Sequence, residues 1–132
     1  MDRSAHTIGV VDDHEATRYV AVKLLRALGY AAAEAETGED ALTMAGSGRA
    51  SALLLDVNLP DVNGVKVCEH LKASAHPIPV VLMSAVYLDD LHRDIGLGAG
   101  ADAYLTAPLS AQELGAVFDR LLGVAAPASG RS

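Results

Sequence analysis

Short apolar segments alternate along the chain with longer amphipathic ones, and this alternation constrains the fold more than any other feature. The short segments have the length and composition of buried strands, and the stretches between them repeat apolar residues with the spacing of one helix face. Five strands are predicted in this way, at residues 7–11, 30–35, 52–55, 80–83 and 102–105. Strands that alternate with helices predict a parallel sheet covered on both faces, and right-handed crossovers favour a doubly wound α/β fold.

Length and composition agree with one soluble domain. The chain has 132 residues, of which 51% are hydrophobic, and this is enough apolar side chain for a core. Its formal charge of −7 argues against direct binding to nucleic acid, which needs clustered Lys and Arg. No apolar run approaches the ~20 residues of a membrane span, and the N-terminus lacks the apolar stretch of a signal peptide. The single cysteine, Cys68, excludes an internal disulfide, so we expect a soluble cytoplasmic protein.

The helical stretches have recognisable faces and ends. The predicted apolar face of the first helix consists of Val20, Ala21, Leu24, Leu25 and Leu28. Capping boxes at 37–40 and 110–113 mark the starts of the second and the fifth helix. The fourth helix leads into three glycines, so we expect it to be the loosest element; its apolar positions are Leu88, Leu91 and Ile95.

Three carboxylates follow strands near the centre of the predicted sheet. Asp12 and Asp13 come directly after the first strand, and Asp56 ends the third. The carboxyl ends of parallel strands meet at one edge, where ligands bind in doubly wound folds. Like charges that lie so close either raise a pKa or demand a cation, and oxygen ligands favour Mg²⁺. Each carboxylate taken singly is better explained as a loop or capping residue, but their shared position at strand ends favours a site.

Four segments, taken in their order and spacing, resemble the receiver domain of response regulators. They are 10–14 (VVDDH), 53–64 (beginning LLLDVNLP and ending in Gly), 80–85 (VVLMSA) and 100–108 (GADAYLTAP). The similarity covers residues 6–123, with residues 1–5 as an N-terminal tail and 124–132 as a disordered C-terminal tail. The resemblance implies a flavodoxin-like (βα)5 fold with strand order 2-1-3-4-5, and a signalling domain rather than an enzyme.

The resemblance also implies roles for the acidic residues. Asp56 resembles the phosphoacceptor, which takes a phosphoryl group from a histidine kinase or a histidine phosphotransferase. Asp13 resembles the direct Mg²⁺ ligand and Asp12 its partner, which often acts through water. The backbone carbonyl of Asn58 would complete the protein ligands. This chemistry suits these residue types, because an ionised carboxylate is a nucleophile toward phosphorus and Mg²⁺ supplies positioning and charge neutralisation.

Further residues stand at positions that respond to phosphorylation in this family. Ser84 resembles the Ser or Thr that hydrogen-bonds the phosphoryl group. Tyr104 occupies the aromatic switch position, although a packed aromatic explains it equally well. The resemblance also implies a cis peptide before Pro108. His14 abuts the acidic residues and either tunes them through its charge or is a solvated loop residue.

The sequence departs from the family at Ala107, where the family has a Lys before the Pro. No Lys, Arg or His occurs between Asp94 and Asp119, so no neighbour along the chain replaces it. Three carboxylates and one Mg²⁺ sum to a charge of −1, and a Lys would bring that sum to zero. Because a charge-assisted hydrogen bond is worth ~1.5–3 kcal/mol, we expect Asp56 to accept a phosphoryl group but to drive a weaker switch.

Three functional hypotheses remain open at this point. The first is a single-domain response regulator that accepts a phosphoryl group on Asp56 and then changes a partner surface or passes the group onward. The second, favoured by Ala107, is an atypical receiver that acts as an interaction or dimerisation module without phosphorylation. The third is a phosphatase with an Asp nucleophile, which Asn58 opposes because the haloacid-dehalogenase type needs an Asp at that position.

Two surfaces are candidates for partners, both by resemblance. The first helix lies where the family docks the kinase, and its basic residues are Arg18, Lys23 and Arg26. A solvated charged face explains these residues equally well. The face made by the fourth helix, the fifth strand and the fifth helix is the family's output or dimer surface, and its low charge suits a homodimer.

Overall fold

The five predicted strands form one parallel sheet. The computed structural model describes residues 2–84, 94–95 and 97–124. The strands are β1 (Thr7–Val11), β2 (Ala31–Ala35), β3 (Ala52–Asp56), β4 (Val80–Ser84) and β5 (Ala103–Thr106). Their order is β2-β1-β3-β4-β5, so the predicted flavodoxin-like topology is confirmed. Because β1, β3 and β4 lie side by side, the residues that follow them share one edge of the sheet.

Helices cover both faces of the sheet. They are α1 (Glu15–Leu28), α2 (Gly38–Gly46), α3 (Gly64–Lys72) and a C-terminal helix (Ala111–Leu122). At both predicted capping boxes the N-cap hydroxyl caps the helix: that of Thr37 accepts from the Asp40 N–H, and that of Ser110 accepts from the Glu113 N–H. Most of the predicted fourth helix lies outside the described residues. In the part of this region that the structure describes, residues 94–95 and 97–98 are helical.

The sheet separates two apolar layers, because successive strand residues point to opposite faces. In β3, Leu53 and Leu55 pack with residues of α2 and α3, whereas Leu54 packs with residues of α1 and the C-terminal helix. Every residue of β3 and β4 is buried, as expected for central strands of a parallel sheet. These rigid central strands fix the positions of the side chains at their carboxyl ends.

The apolar face of α1 differs from the prediction at one position. Ala21 and Leu25 are buried as predicted, but Val20 is 49% exposed and Val22 is buried in its place. Each helical residue turns about 100°, so Val20 and Val22 lie about 160° apart around the helix and cannot share a face. The buried face lies on the Val22 side because α1 packs against both the sheet and the C-terminal helix.

The N-terminal segment is fastened to the domain through a 3-10 helix at Arg3–Ala5. Arg3 Nε and Nη2 donate to the two carboxylate oxygens of Asp119 at 3.0 and 2.7 Å, and Nη1 donates to the Leu28 carbonyl at 2.9 Å. The Tyr30 hydroxyl donates to Asp119 Oδ1 at 2.6 Å. The Arg3 guanidinium holds the pKa of Asp119 below its ordinary value. The segment predicted as an N-terminal tail therefore ties α1 to the C-terminal helix.

At the other end of the domain, one residue that was assigned to the C-terminal tail packs against the described fold. Val124, assigned to the disordered tail, is buried, and its N–H donates to the Asp119 carbonyl at 2.9 Å. It follows Gly123, whose φ of 68° ends the helix in the left-handed region. Residues 125–132 lie outside the described part of the chain. Among the helices of the described part, none combines the length and apolarity needed to cross a membrane.

Candidate functional site

The predicted acidic residues converge at the carboxyl edge of the sheet. Asp12 follows β1 directly and Asp56 is the last residue of β3, and these two strands are paired neighbours. One potential ligand atom from each of Asp12, Asp13, His14 and Asp56 lies within 4.8 Å of the others. The structure therefore brings together all three carboxylates that the sequence singled out, and adds the imidazole of His14.

The turn between β1 and α1 presents its two carboxylates differently. The Asp12 side chain is 2% exposed, whereas that of Asp13 is 34% exposed. The Asp12 N–H donates to the Ala35 carbonyl of β2 at 3.0 Å, and Asp12 Oδ1 accepts from the His14 N–H at 2.9 Å. His14 Nδ1 lies 3.4 Å from Asp13 Oδ1, and the His14 side chain is 75% exposed. Asp12 is thus held at the floor of the site and Asp13 stands at its open side.

Asp56 lies in an environment that disfavours its charge. Burial raises the pKa of this carboxyl to about 6, and repulsion from Asp12 and Asp13 acts in the same direction. The Asn58 N–H, which donates to Asp56 Oδ1 at 3.0 Å, partly opposes this effect. A cation bound among these carboxylates would relieve the repulsion, and the oxygens of Asp12, Asp13 and Asp56 suit a hard ion such as Mg²⁺. The residues present therefore fit the metal that the fold family implies.

The loop after Asp56 passes close beneath the site. The Gly64 N–H donates to the Val57 carbonyl at 2.7 Å, and a Cβ on Gly64 would overlap the Asp56 carbonyl oxygen. Glycine is required here by the close approach of two backbone segments. An antiparallel bridge between Asn58 and Asn63 closes the same loop. These contacts hold the backbone on both sides of the predicted Asn58 ligand.

Ser84 and Ala107 border the acidic cluster at the ends of β4 and β5. Ser84 ends β4 and is buried, and its carbonyl accepts from the Ala107 N–H at 2.8 Å. Both residues line one small cleft of about 20 Å³ together with Asp12, His14, Thr17, Asp56 and Met83. The Ala107–Pro108 peptide is cis, as the resemblance implied. Ala107 thus contributes a methyl group, and no cation, to this cleft.

Tyr104 lies away from this cleft. It is buried on β5, where its register partner is Leu82 of β4, and it packs in the apolar layer that includes α2 and α3 residues. It also lines a separate cavity of about 380 Å³ with Val57, Asn63, Val65, Lys66, Glu69 and Ile95. Tyr104 is therefore a packed aromatic, and its switch role stays a prediction.

Arg18 is the site neighbour that sequence reasoning missed. Its Nη1 donates to the Asp12 carbonyl at 2.8 Å and its Nε to Glu34 Oε1 at 2.9 Å. The sequence placed Arg18 at the edge of the apolar face of α1, with docking or solvation as the alternatives. The available signal was a basic residue one turn inside the helix that follows an acidic turn, a spacing that lets a long side chain reach back to that turn.

Comparison with known proteins agrees with this geometry. Residues 8–119 match the sequence model of a protein family, the response regulator receiver domain. The chain is 39% identical over 114 residues to response regulator MprA of Mycobacterium tuberculosis (strain H37Rv), an alignment that covers 86% of this chain and 49% of the relative. The chain therefore spans about half the length of the curated relatives it matches.

Two solved structures extend the likeness to three dimensions. The BeF3-activated DrrB receiver domain has a TM-score of 0.78 and 31% identity, covering 89% of this chain and 97% of that chain. The receiver domain of the sensor histidine kinase PA1611 from Pseudomonas aeruginosa PAO1, with a magnesium ion coordinated in its active-site cleft, has a TM-score of 0.80 and 28% identity, covering 89% and 98%. The family match, the strand order and the acidic edge agree, and the chain belongs to the response-regulator receiver-domain family.

Proposed function

We propose that this receiver domain accepts a phosphoryl group on Asp56 in a Mg²⁺-dependent reaction, from the phosphohistidine of a histidine kinase or a histidine phosphotransferase. The observation that carries the proposal is the convergence of Asp12, Asp13 and Asp56 at the ends of two paired central strands. Receiver domains are signalling domains, and we infer the same role here, with two-component phosphotransfer as the input.

Asp56 is the nucleophile of the proposed reaction. One carboxylate oxygen forms a bond to phosphorus while the bond from phosphorus to the donor histidine nitrogen breaks, and that nitrogen leaves with the electron pair. A pKa of about 6 leaves the Asp56 carboxyl mostly ionised at neutral pH, as a nucleophile must be. Bound Mg²⁺ supplies charge neutralisation for the carboxylates and the phosphoryl oxygens.

The remaining residues of the cleft hold and orient these groups. Asp13, the more exposed of the two N-terminal carboxylates, is the direct metal ligand, and buried Asp12 supports it from the floor of the site. The Asn58 carbonyl completes the protein ligands. Ser84, which lines the same cleft as Asp56, donates its hydroxyl to a phosphoryl oxygen.

The response to phosphorylation is weaker than in a receiver with the family Lys. Ala107 lines the cleft with a methyl group, so this residue offers the phosphoryl group no ion pair. Tyr104 packs in an apolar layer outside the cleft, so Ala107 provides no charged side chain that would connect the phosphoryl group to Tyr104. Phosphorylation therefore causes only a modest conformational change at the predicted output face.

A second function is favoured by the same residue. Without a cation at Ala107, the domain acts as an interaction module that needs no phosphorylation. Exposed Ile95 and Leu97, at 53% and 41%, lie in the region of the predicted output face and suit an apolar contact with a second copy. Sedimentation with and without beryllofluoride separates the two functions, because a module of this kind self-associates equally in both conditions.

The test of the first function is chemical phosphorylation. The protein is incubated with acetyl phosphate in Mg²⁺ or in EDTA, and its intact mass is recorded alongside that of Asp56→Asn. We expect one added phosphoryl group in Mg²⁺ and none in EDTA or in the variant. An unmodified wild-type mass at every Mg²⁺ concentration, from acetyl phosphate and from a panel of phosphorylated kinases, overturns the proposal.

A further inference from the structure

Arg18 makes two directional contacts that join the acidic turn to the edge of the sheet. It lies one turn inside α1, and its guanidinium turns back past the N-cap residue His14 to Asp12. Nη1 donates to the Asp12 carbonyl at 2.8 Å, while Nε donates to Glu34 Oε1 on β2 at 2.9 Å. The Arg18 side chain is 12% exposed and its contact with the Asp12 carbonyl is partly buried, whereas the Glu34 side chain is 48% exposed.

These contacts complete the fixation of the Asp12 peptide groups. The Asp12 N–H is bonded directly to β2, through the Ala35 carbonyl at 3.0 Å. Its carbonyl is bonded to β2 indirectly, through Arg18 and then Glu34. Both the N–H and the carbonyl of Asp12 are therefore restrained. The Asp12 carbonyl belongs to the peptide group that leads to Asp13, so the contact with Arg18 also restrains the backbone of Asp13.

The contacts of Arg18 favour a positioning role over that of a docking residue or a freely solvated surface charge. A docking residue needs an accessible guanidinium, and this one is mostly buried with two donors engaged. A solvated charge would likewise stand in water and not against the sheet. Lys23, by contrast, stands over the ring of Tyr19, which is 61% exposed, and remains on the outer face of α1.

We propose that Arg18 is a positioning residue for the metal site, holding the turn between β1 and α1 so that Asp12 and Asp13 converge with Asp56. The proposal rests on the proposed function, since it concerns the Mg²⁺ that this function requires. Groups that orient metal ligands from outside typically change metal affinity by about 10- to 100-fold when they are removed.

The sign of the effect distinguishes positioning from simple charge. A guanidinium near three carboxylates reduces their negative potential, so by Coulomb's law alone its removal would strengthen the binding of a divalent cation. Loss of the restraint on Asp12 acts in the opposite direction, because the carboxylates then lose conformational freedom when the ion binds. Weaker Mg²⁺ binding after removal of a positive charge is a result that only positioning gives.

The test compares Arg18→Ala with Arg26→Ala by calorimetric titration of Mg²⁺ into the full chain. Arg26 is the matched control, since it also lies on α1 and donates to a β2 carbonyl, that of Ala32 at 3.3 Å, away from the acidic turn. We expect the Mg²⁺ dissociation constant to rise about 10-fold or more in Arg18→Ala. Arg26→Ala should leave it unchanged. Arg18→Lys keeps the charge without the two-armed geometry and should restore little of the lost affinity.

Glu34→Ala provides a second variant that leaves Arg18 in place. It removes the anchor of the guanidinium without touching the acidic turn, and we expect it also to weaken Mg²⁺ binding, the direction in which loss of its negative charge acts as well. Thermal unfolding is measured on each variant, because a purely structural contact lowers the melting temperature while the folded protein keeps its affinity. Unchanged or tighter Mg²⁺ binding by folded Arg18→Ala, or by Glu34→Ala if the first variant does not fold, overturns the inference. Absence of Mg²⁺ binding in the wild type overturns the proposed function itself.

Discussion

Restoring a cation at position 107 should strengthen the phosphorylated state. Ala107 lines the cleft that holds Asp56 and Ser84, and its N–H is 2.8 Å from the Ser84 carbonyl oxygen. The backbone at this position is therefore already at the site, and an Ala107→Lys side chain begins within reach of the phosphoryl group. Three carboxylates and Mg²⁺ leave a charge of −1, which the new ammonium group cancels.

The magnitude follows from one charge-assisted hydrogen bond. Such a bond contributes ~1.5–3 kcal/mol, which corresponds to a gain of about 10- to 150-fold in the affinity for a phosphoryl analogue. The cleft opens toward solvent at His14, which is 75% exposed, and screening places the expected gain in the lower part of that interval.

The assay is a titration of beryllofluoride in saturating Mg²⁺, followed by the amide resonances of residues at the site. Ala107→Met is the matched control, because it adds a side chain of similar length without the charge. We expect Ala107→Lys to bind the analogue more tightly than both the wild type and Ala107→Met. Equal affinity in Ala107→Lys and Ala107→Met would refute the proposed role of charge and with it the inferred cause of a weakened switch.

Three further predictions concern stability. Without Mg²⁺, the pKa of Asp56 lies at about 6 in the folded protein against 3.8 for an ordinary Asp. The folded state therefore binds the Asp56 proton more tightly, and stability is lost as pH rises from about 4 through about 6. Asp56→Asn should then be more stable than the metal-free wild type at pH 7, by on the order of 2 kcal/mol. An equal urea midpoint for the metal-free wild type at pH 5 and at pH 7 would contradict this prediction. Asp119→Asn breaks the two-armed contact with Arg3 and should cost about 2–4 kcal/mol in urea unfolding; a loss below ~0.5 kcal/mol would show that the contact contributes little. Gly64→Ala should unfold at lower temperature and bind Mg²⁺ less well, because its Cβ would overlap the Asp56 carbonyl, whereas Gly46→Ala has no atom within 4 Å and should be neutral or up to ~1 kcal/mol stabilising.

The sheet was predictable because its signal is local and repeated. Each strand is a short, mostly apolar run that a polar residue follows, as Asp56 follows Leu55. The placement of Asp12, Asp13 and Asp56 at one edge then follows from parallel topology, without knowledge of any side-chain contact. The strand order came from the family resemblance and not from the apolar pattern.

The features that escaped prediction depend on long-range packing. Val20 appears apolar on the same stripe as Ala21, but which side of α1 is buried depends on the neighbouring C-terminal helix. The contact between Arg3 and Asp119 joins residues 116 positions apart, and no periodicity signals it. Arg18 looked like a surface charge because the sequence does not show that Glu34 and the Asp12 carbonyl face it.

Phosphoryl transfer to this domain is tested most directly by identifying the residue that carries the phosphoryl group. The protein is phosphorylated with acetyl phosphate in Mg²⁺, the acyl phosphate is reduced with borohydride to give homoserine, and the digested protein is mapped by mass spectrometry. We expect a single reduced position, at Asp56, which disappears when Mg²⁺ is chelated. Labelling at Asp12 or Asp13 instead, or labelling of Asp56 that is independent of the metal, would contradict the roles proposed for these three carboxylates.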